Sequence, residues 1–245
     1  MNTVIITGAG TGIGAATTER LLASGWNVAL VGRRAEKLAE TAAHGELTQS
    51  LIIVEDLSDP AAAQRIVNQT LAKFGRIDAL VNNAATIKVM PIADYPLEQI
   101  DLHWAVNIRA PFLLIQSALP ALRLRGGAIV NISSSSGTLV RPGQSLYGMT
   151  KAALEYLTRS LAGELAADKI RVNALALGPV DTPIHETWAT NLTEAYEWLA
   201  KQVPLGRIAQ ANEVGRWIEL LVSSESAWMT GACIPFDGGQ VLDIS

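Results

Sequence analysis

The chain has 245 residues, of which 49% are hydrophobic and 17% charged, and its formal net charge is −4. These values suit a compact, soluble α/β protein and exclude an intrinsically disordered chain. The acidic balance argues against nucleic acid or a membrane surface as the main partner, and we expect no apolar run long enough to span a membrane.

A single cysteine, Cys233, excludes an intrachain disulfide and a cysteine-based zinc site. The three histidines are scattered along the chain, so no metal site is expected. The first residues have the pattern of a strand and not that of a signal peptide. The sequence therefore predicts a cytoplasmic protein of enzyme size.

Short apolar runs alternate with helical patterns along the chain. The predicted strands cover residues 3–7, 28–31, 51–54, 79–81, 128–132, 170–176 and 232–235. The predicted helices cover 12–24, 35–43, 60–74, 97–106, 110–124, 147–167 and 212–221. Ser58 or Asp59 is expected to cap the third helix, and Pro111 to bend the fourth and fifth helices as a pair. Residues 178–204 are expected to be irregular.

Apolar strands separated by helices indicate parallel strands that are covered on both faces. The sequence thus predicts a Rossmann-type, doubly wound α/β fold. We expect a mainly parallel seven-stranded sheet with helices on both faces, in a three-layer α/β/α arrangement. Because no repeat or linker is visible, one domain over residues 1–245 is expected.

A glycine-rich turn, T-G-A-G-T-G-I-G over residues 7–14, follows the first predicted strand. Gly8 permits a tight turn, Gly12 lets a pyrophosphate approach the backbone, and Gly14 lets the next helix pack closely. The free amides at the start of that helix attract an anion. A purely structural turn would explain the glycines, but their position after the first strand favours dinucleotide binding.

The end of the second strand bears on which dinucleotide binds. An acidic residue there would bond the ribose hydroxyls of NAD, but residues 28–34 read V-A-L-V-G-R-R. Arg33 can instead meet a 2′-phosphate with its planar fork of donors. We therefore expect NADP(H), with NAD still possible. The alternative is that both arginines are solvated residues at a helix start.

Tyr147 and Lys151 stand four positions apart at the start of an apolar-periodic helix. This spacing puts the phenol and the ammonium on one helix face. A nearby cation favours the phenolate, so the pair predicts a tyrosine whose pKa lies below its ordinary ~10. Such a tyrosine can act as a general acid or base. A solvated pair without chemistry is the alternative, because the spacing is common by chance.

These motifs, in this order, resemble the short-chain dehydrogenase/reductase family in its single-domain branch. The sequence also has N-N-A at 82–84, an asparagine at 107, serines at 133–136 and a Gly-Pro turn at 178–179. The resemblance covers essentially the whole chain, from Thr3 to Gly239. It departs from the family pattern at Ala85, where a glycine is usual.

The resemblance implies roles for further residues. Asp56 and Leu57 would contact the adenine, and Asn107 would hold a water that links the lysine to solvent. The backbone of Val180 and the hydroxyl of Thr182 would hold the nicotinamide carboxamide. Besides Tyr147 and Lys151, the expected cofactor-binding residues are Gly8, Thr11, Gly12, Ile13, Gly14, Arg33, Asp56, Leu57, Asn83, Pro179, Val180 and Thr182.

The expected reaction is hydride transfer between the nicotinamide and a carbonyl/alcohol pair, with Asn107, Ser134, Tyr147 and Lys151 as the catalytic set. Tyr147 would protonate the forming alkoxide, Ser134 would bond the same oxygen, and Lys151 would lower the tyrosine pKa and bind the nicotinamide ribose. The serine register stays open. The family's serine precedes a glycine by three positions, which selects Ser134. Ser135 competes because a slip of one residue turns a strand side chain to the other face.

Three segments, 86–95, 139–146 and 184–204, are expected to recognise a small-molecule substrate. Packing into the domain would equally explain their apolar and aromatic side chains, but these suggest a partly apolar pocket: Met90, Val140, Trp188, Tyr196, Trp198 and Leu199. Arg141 and His185 could meet a polar or acidic group, although neither is favoured. The last segment could act as a mobile lid.

Several functions compete with an NADP-dependent carbonyl reductase or alcohol dehydrogenase. An NAD-dependent alcohol dehydrogenase differs only in its cofactor. A non-catalytic nucleotide-binding protein would not need the full catalytic set, and a methyltransferase with an adenosyl cofactor would not need the tyrosine and lysine. An enoyl reductase is less favoured, because such enzymes usually space tyrosine and lysine further apart.

The resemblance also implies a homo-oligomer, commonly a tetramer and otherwise a dimer. Its subunits would meet through the helices at 107–124 and 147–167, and the tail at 232–245 would join a second interface.

Overall fold

A computed structural model describes residues 1–242 of the chain. Seven strands form one sheet in which every neighbouring pair is parallel. They are β1 (Thr3–Thr7), β2 (Asn27–Gly32), β3 (Ser50–Val54), β4 (Ala79–Asn82), β5 (Gly127–Ser134), β6 (Ile170–Leu177) and β9 (Cys233–Phe236), and their order is β3-β2-β1-β4-β5-β6-β9. Two short strands, β7 (Val180–Asp181) and β8 (Ala209–Gln210), pair beside the sheet.

Eight α-helices connect these strands. They are α1 (Gly12–Ala23), α2 (Ala35–Ala42), α3 (Ala62–Phe74), α4 (Leu97–Trp104), α5 (Ala110–Arg123), α6 (Ser145–Leu165), α7 (Leu192–Ala200) and α8 (Ala211–Val222). The predicted parallel seven-stranded sheet with helices on both faces is confirmed.

Strand residues alternate between two apolar clusters, one on each face of the sheet. Val4 and Ile6 of β1 pack into a cluster with side chains of α1, α2 and α8. Ile5 of the same strand points to the opposite face and packs with side chains of α3, α5 and α6. This alternation is the period of a strand. Both faces are therefore covered, which gives the three predicted layers.

The strand order reverses next to β1, which lies between β2 and β4. In open parallel sheets, ligands bind outside the carboxyl ends of the strands at such a switch point. The turn at residues 8–11 leaves β1 at this point, and residue 83 directly follows β4. The fold thus brings the glycine-rich turn and the asparagine segment to one crevice.

A π-helical segment, Ala105–Arg109, joins α4 to α5. Its wider turn is closed by the N–H of Ala110, which donates to the carbonyl of Ala105. The departure from regular α-helix therefore lies just before Pro111, in this π-helical segment. Pro111 takes the second position of α5, where a missing N–H is tolerated.

The continuous helix Leu97–Arg123, with 27 residues, is by length and composition able to cross a membrane. The expectation that no apolar run has this length is wrong here, since the π-bulge joins two predicted helices into one. Leu114, Ile115 and Leu122 of this helix are buried in the apolar cluster against the sheet. A helix that is packed into a protein core can have the same length and apolar composition as a membrane span, so these two properties alone do not identify one.

Two further details differ from the sequence predictions. Residues 178–204 were expected to be irregular, but Leu192–Ala200 forms a helix, whose start Asn191 caps by accepting from the N–H groups of Thr193 and Glu194. The third helix begins at Ala62 and not at residue 60 as predicted. The side chain of Asp59 accepts from the N–H of Ala61 (2.9 Å), in the turn that precedes this helix. Residues 243–245 of the predicted interface tail lie outside the described residues.

Candidate active site

A cavity of about 910 Å³ lies at the carboxyl ends of the strands. Its lining comes from the segments that follow β1 to β6, from the start of α6 and from α7. We call the part lined by the segments after β1, β2 and β3 the nucleotide end. The substrate end is lined by Thr86, Ile87 and Val89 after β4, and by some of the residues of the segments 134–144 and 183–202. Tyr147 and Lys151 lie between the two ends.

The glycine-rich turn depends on the absence of side chains. Gly8 and Gly12 have φ of +67° and +54°, a region that favours glycine. A Cβ added to Gly14 would lie 2.1 Å from the carbonyl oxygen of Gly8, so that α1 could not pack against the turn. Thr11 precedes α1 and, with Ile13, lines the cavity.

Asn83 and Thr7 clamp the turn to the neighbouring strand. The amide of Asn83 donates to the carbonyl oxygens of Thr7 (2.8 Å) and Gly8 (3.3 Å). The hydroxyl of Thr7 accepts from the backbone N–H groups of Asn83 and Ala84, both at 3.0 Å. Asn83 thus acts by holding the turn in shape. The part played by Thr7 was missed because no motif distinguishes it from other strand threonines.

A second polar link ties the sheet to α6. The buried amide of Asn82 donates to Asn131 Oδ1 of β5 (2.8 Å), and the amide of Asn131 donates to Thr158 Oγ1 of α6 (2.9 Å). All three side chains are buried. This chain of bonds fixes α6, and therefore Tyr147 and Lys151, relative to β4 and β5.

Basic side chains line the nucleotide end directly after β2. Arg34 donates to Thr11 Oγ1 (3.4 Å), and Lys37 pairs with Glu40 (2.7 Å). Among residues 1–242, the exposed Arg33 makes no side-chain hydrogen bond or ion pair, so it is the cation available to a ligand.

Asp56 and Leu57 line the cavity after β3, close to Arg33. Asp56 Oδ1 accepts from the N–H of Ser58 (2.8 Å). This bond, with a smaller contribution from the charge of Arg33, holds the pKa of the Asp56 carboxyl below its ordinary value. The nucleotide end therefore contains the unpaired guanidinium of Arg33 and the ionised carboxylate of Asp56, which is bonded within the turn after β3.

Tyr147 and Lys151 lie on one face of α6, both buried. The ammonium of Lys151 donates to the carbonyl of Ile132 (2.7 Å) and lies 5.5 Å from the centre of the Tyr147 ring. Ile132 belongs to β5, so the lysine is anchored to the sheet. The predicted juxtaposition of phenol and ammonium is present.

The predicted lowering of the Tyr147 pKa is wrong. Burial raises the pKa of Tyr147 to about 12, and interaction with the Ser134 hydroxyl opposes this rise only in part. Burial also lowers the pKa of Lys151 to about 8, against the charge of Glu155, which raises it. Both shifts have one cause, since loss of water disfavours the charged form of each group. The prediction was based on the spacing of Tyr147 and Lys151 along the helix, and this spacing does not show whether the two side chains are buried.

The four serines have different surroundings. Ser134, the last residue of β5, lines the cavity and interacts with Tyr147, and its hydroxyl accepts from the N–H of Ser136 (3.2 Å). Ser135 is buried and donates to Gln240 Oε1 (2.9 Å). Ser133 donates to Glu155 Oε1 (2.8 Å). Of the two competing serines, Ser134 is the one beside the phenol.

Asn107 sits in the π-helical segment with both amide hydrogens bonded. Its Oδ1 accepts from the N–H of Thr86 (2.9 Å), and its amide donates to the carbonyl of Thr86 (3.0 Å) and to Thr150 Oγ1 (3.1 Å). The side chain therefore has no N–H left to donate to a water, and Oδ1 keeps one lone pair. The backbone carbonyl of Asn107 is a second possible acceptor for a water. In an α-helix it would accept from the N–H of the residue four positions later, but that residue is Pro111, which has no N–H.

The Gly-Pro segment after β6 reaches across the cavity. Pro179, Val180 and Thr182 line it, and the hydroxyl of Thr182 donates to the carbonyl of Val180 (3.2 Å). A Cβ added to Gly12 would lie 3.0 Å from the Thr182 side chain. The segment predicted to cover the nicotinamide thus lies against the glycine-rich turn.

The three predicted substrate segments all reach the cavity, but not with every side chain named for them. Val140, Trp188, Trp198 and Leu199 line it, whereas Met90 and Tyr196 do not. Tyr196 instead donates to the carbonyl of Thr182 (3.3 Å) and packs edge-on against His185. Sequence reasoning missed several lining residues, which have no shared motif: Leu102, Val106, Ile184, Thr187, Gln202 and Gln240.

The residues of the nucleotide end fit a dinucleotide. The Gly14 position is too close to the carbonyl of Gly8 for any side chain, and α1 begins at Gly12 with its first N–H groups beside the cavity. Helix N-termini of this kind hold pyrophosphate. Within residues 1–242, His, Cys, Asp and Glu side chains form no cluster that could hold a metal ion.

Comparisons with known proteins agree with this geometry. The model of a protein family described as "Enoyl-(Acyl carrier protein) reductase" matches residues 8–240. The oxidoreductase UcpA of Escherichia coli O157:H7 is 37% identical over 253 residues, covering 98% of this chain and 94% of that protein. The L-xylulose reductase of Mus musculus is 35% identical over 237 residues, covering 96% of this chain and 94% of that protein.

A solved structure is similar over its whole length. The 3-ketoacyl-(acyl-carrier-protein) reductase from Brucella melitensis, complexed with NADH, superposes with a TM-score of 0.91 at 29% identity. The similarity covers 98% of each of the two chains.

Proposed function

The chain belongs to the short-chain dehydrogenase/reductase family, and from this premise we propose that it transfers hydride between NADP(H) and a carbonyl or secondary-alcohol substrate. The observation that carries the proposal is the group formed by the buried Tyr147 and Lys151 with the half-buried Ser134, which lines a cavity whose other end fits a dinucleotide. A protein that only bound a nucleotide would not need the combination of Ser134, Tyr147 and Lys151.

The chain's own residues hold the cofactor. The glycine-rich turn and the start of α1 take the pyrophosphate, and Lys151 takes the nicotinamide ribose. Val180 and Thr182 hold the carboxamide. A bound nicotinamide supplies or accepts the hydride.

Tyr147 acts as the proton donor in reduction. With a pKa of about 12, its phenol stays protonated near neutral pH. It can therefore give a proton to the alkoxide that forms on the substrate oxygen. Ser134 bonds the same oxygen, at the point where negative charge grows. In the oxidation direction, the phenolate form of Tyr147 accepts the proton of the alcohol.

Lys151 replenishes the proton of Tyr147. Its pKa of about 8 puts it close to neutrality, so it can exchange protons with solvent. We assign the water-holding role to the backbone carbonyl of Asn107, because the side chain is already bonded to Thr86 and Thr150. The Asn107 side chain then serves to fix the π-bulge against the segment that follows β4.

The preference for NADP(H) rests on Arg33. Residues 28–34 include no acidic residue, and Arg33 is the cation there without a partner in the described chain. A guanidinium bonds a phosphate more strongly than it bonds a ribose hydroxyl. NADH is therefore expected to be used less well.

A second candidate comes from the printed description of the matching family, which names an enoyl reductase. Hydride addition to an enoyl thioester takes place at the β-carbon and forms an enolate, so a hydrogen-bond donor at the thioester oxygen would serve that reaction too. The spacing of four positions between Tyr147 and Lys151 favours the carbonyl reaction, because enoyl reductases usually space these two residues further apart.

Cofactor oxidation with a substrate panel tests the proposal. The panel holds diverse ketones, aldehydes and one enoyl thioester, each with NADPH and with NADH. We expect oxidation of NADPH with ketones or aldehydes. Turnover of the enoyl thioester alone would favour the second candidate, and no turnover of any compound would contradict both.

We also propose that the protein forms a homo-oligomer. Large apolar side chains are exposed on the helices expected at the subunit interface: Phe112, Met149 and Tyr156. A second copy of the chain would cover them, and exposed apolar patches mark such contacts. A mass measurement in solution tests this, and a monomer would contradict it.

A further inference from the structure

Arg141 is unusual among the buried or half-buried arginines of the structure. It is half-buried at the substrate end of the cavity. Within residues 1–242 its guanidinium makes neither a hydrogen bond nor an ion pair. Burial lowers its pKa, and no carboxylate acts against that shift. A half-buried cation that has lost part of its water without gaining a partner is costly, so its position needs an explanation.

Arg171 shows what a structural arginine looks like in this protein. Burial lowers its pKa as well. However, its guanidinium donates to Ser226 Oγ and to the carbonyls of Leu221 and Ser223, all at 2.9 Å. These bonds tie β6 to the end of α8. Arg141 has the same loss of water and none of these bonds, so it does not serve the fold in this way.

The backbone that carries Arg141 is held firmly. Residues 141–144 form a turn in which the N–H of Gln144 donates to the carbonyl of Arg141 (3.1 Å) and Gly143 has φ of +76°. Proline at the second position and glycine at the third are the residues that a type II turn favours. The phenol of Tyr95 and the N–H of Met90 both donate to the carbonyl of Gly143 (3.0 Å each).

The carboxylates of the cavity are remote from Arg141. In the described lining the acidic residues are Glu55 and Asp56, which follow β3. Arg141 follows β5, four strand positions away in the sheet, or ~19 Å at the usual strand spacing. Glu55 is moreover paired with Arg65 (2.7 Å). The substrate end thus presents one unpaired cation beside neutral side chains.

We propose that Arg141 binds an anionic group of the substrate, which makes the substrate a carbonyl compound that also carries a carboxylate or a phosphate. A planar guanidinium suits both oxyanions, because it can offer two parallel N–H groups to two oxygens. The proposal rests on the proposed function, since the substrate is positioned for Tyr147. The turn fixes the backbone position from which the Arg141 side chain lines the cavity.

The test compares charged and neutral versions of one substrate. Short straight-chain oxo acids and their methyl esters are reduced with NADPH by the wild type, Arg141→Gln and Arg141→Lys. A phosphorylated ketone and its dephosphorylated form distinguish a phosphate site from a carboxylate site. Lys88→Gln is the matched control, because Lys88 is exposed on a neighbouring loop and does not line the cavity.

For Arg141→Gln we expect kcat/KM for the anionic substrate to fall about 10- to 100-fold, as for a lost charge-assisted hydrogen bond. The fall should lie mainly in KM, and kcat/KM for the neutral form should be unchanged. Arg141→Lys should recover part of the loss, and Lys88→Gln should match the wild type. Equal loss for charged and neutral substrates, or no loss, would overturn the proposal while leaving the oxidoreductase activity established.

Binding gives a readout that does not depend on hydride transfer. Straight-chain carboxylates and phosphate monoesters without a carbonyl group are titrated against the protein with NADP⁺, following tryptophan fluorescence, since Trp188 and Trp198 line the cavity. Binding of either anion by the wild type and Lys88→Gln, and not by Arg141→Gln, supports the site even if no ketone is turned over. Absence of binding, or equal binding by all three proteins, would contradict it.

Discussion

The nucleotide end and the substrate end of the cavity are built on different principles. At the nucleotide end, the shape of the cavity depends on backbone geometry, as at Gly14, where a Cβ would lie 2.1 Å from a carbonyl oxygen. At the substrate end, the cavity is formed by side chains on loops and on α7, such as Arg141 and Trp188 on the loops. The first construction leaves few choices of residue, whereas the second leaves many. The difference explains why the cofactor is easier to infer than the substrate.

The largest effect is expected where the two ends meet, for Tyr147→Phe. Loss of the proton donor should lower kcat about 10²- to 10⁴-fold, the usual contribution of general acid catalysis. The affinity for NADPH should be unchanged, because the nucleotide end is intact. Steady-state kinetics and an NADPH titration measure both. Tyr156→Phe, outside the cavity lining on the same helix, is the control, because it removes a phenol hydroxyl and keeps the apolar ring that we propose for the subunit contact. Substantial residual turnover in Tyr147→Phe would refute the role.

The second effect tests whether the nucleotide end depends on missing side chains. Gly14→Ala should cost about 1–3 kcal/mol in the free energy of unfolding through overpacking, and it should weaken NADPH binding. Gly163→Ala, in α6 with no atom near the added methyl group, should be neutral or stabilising by up to ~1 kcal/mol. Urea unfolding compares the two variants. Similar stabilities would show that the close approach at Gly14 is unimportant.

The sequence predicted the nucleotide end well because its signals are local. Gly8, Gly12 and Gly14 are read from one short segment, and the strands are recognised by their apolar runs. Helix α7 was missed since the residues around it mix polarities, so its formation depends on a cap at Asn191 and on packing. The sign of the Tyr147 pKa shift depends on burial by the rest of the fold. Such long-range effects have no local pattern.

The third effect concerns the choice of cofactor at the nucleotide end. Arg33→Ser should raise KM for NADPH about 10- to 100-fold, the loss expected for a charge-assisted bond to phosphate. KM for NADH should hardly change, because NADH has no 2′-phosphate. Arg125→Ser, at an exposed arginine outside the cavity lining, serves as control. An equal change in KM for NADPH and NADH would show that Arg33 does not determine the preference for NADPH.

The smallest effect is a shift in pH dependence. Because burial lowers the pKa of Lys151 to about 8, the lysine loses its proton as pH rises through that value, and ketone reduction should fall there. The charge of Glu155 raises this pKa. In Glu155→Gln the fall should therefore move to lower pH, with the bond from Ser133 retained by the amide oxygen. The pH profile of kcat measures this, and Glu164→Gln, exposed on the same helix, should leave it unmoved.

The most direct test of the central claim follows the hydrogen itself. A ketone that the protein reduces is supplied with NADPH carrying deuterium at nicotinamide C4, in separate reactions for each of the two faces. Mass spectrometry of the product alcohol should find one deuterium on the carbinol carbon for one of the two labelled cofactors. Cofactor oxidation that leaves no deuterium on that carbon with either label would contradict hydride transfer to a carbonyl.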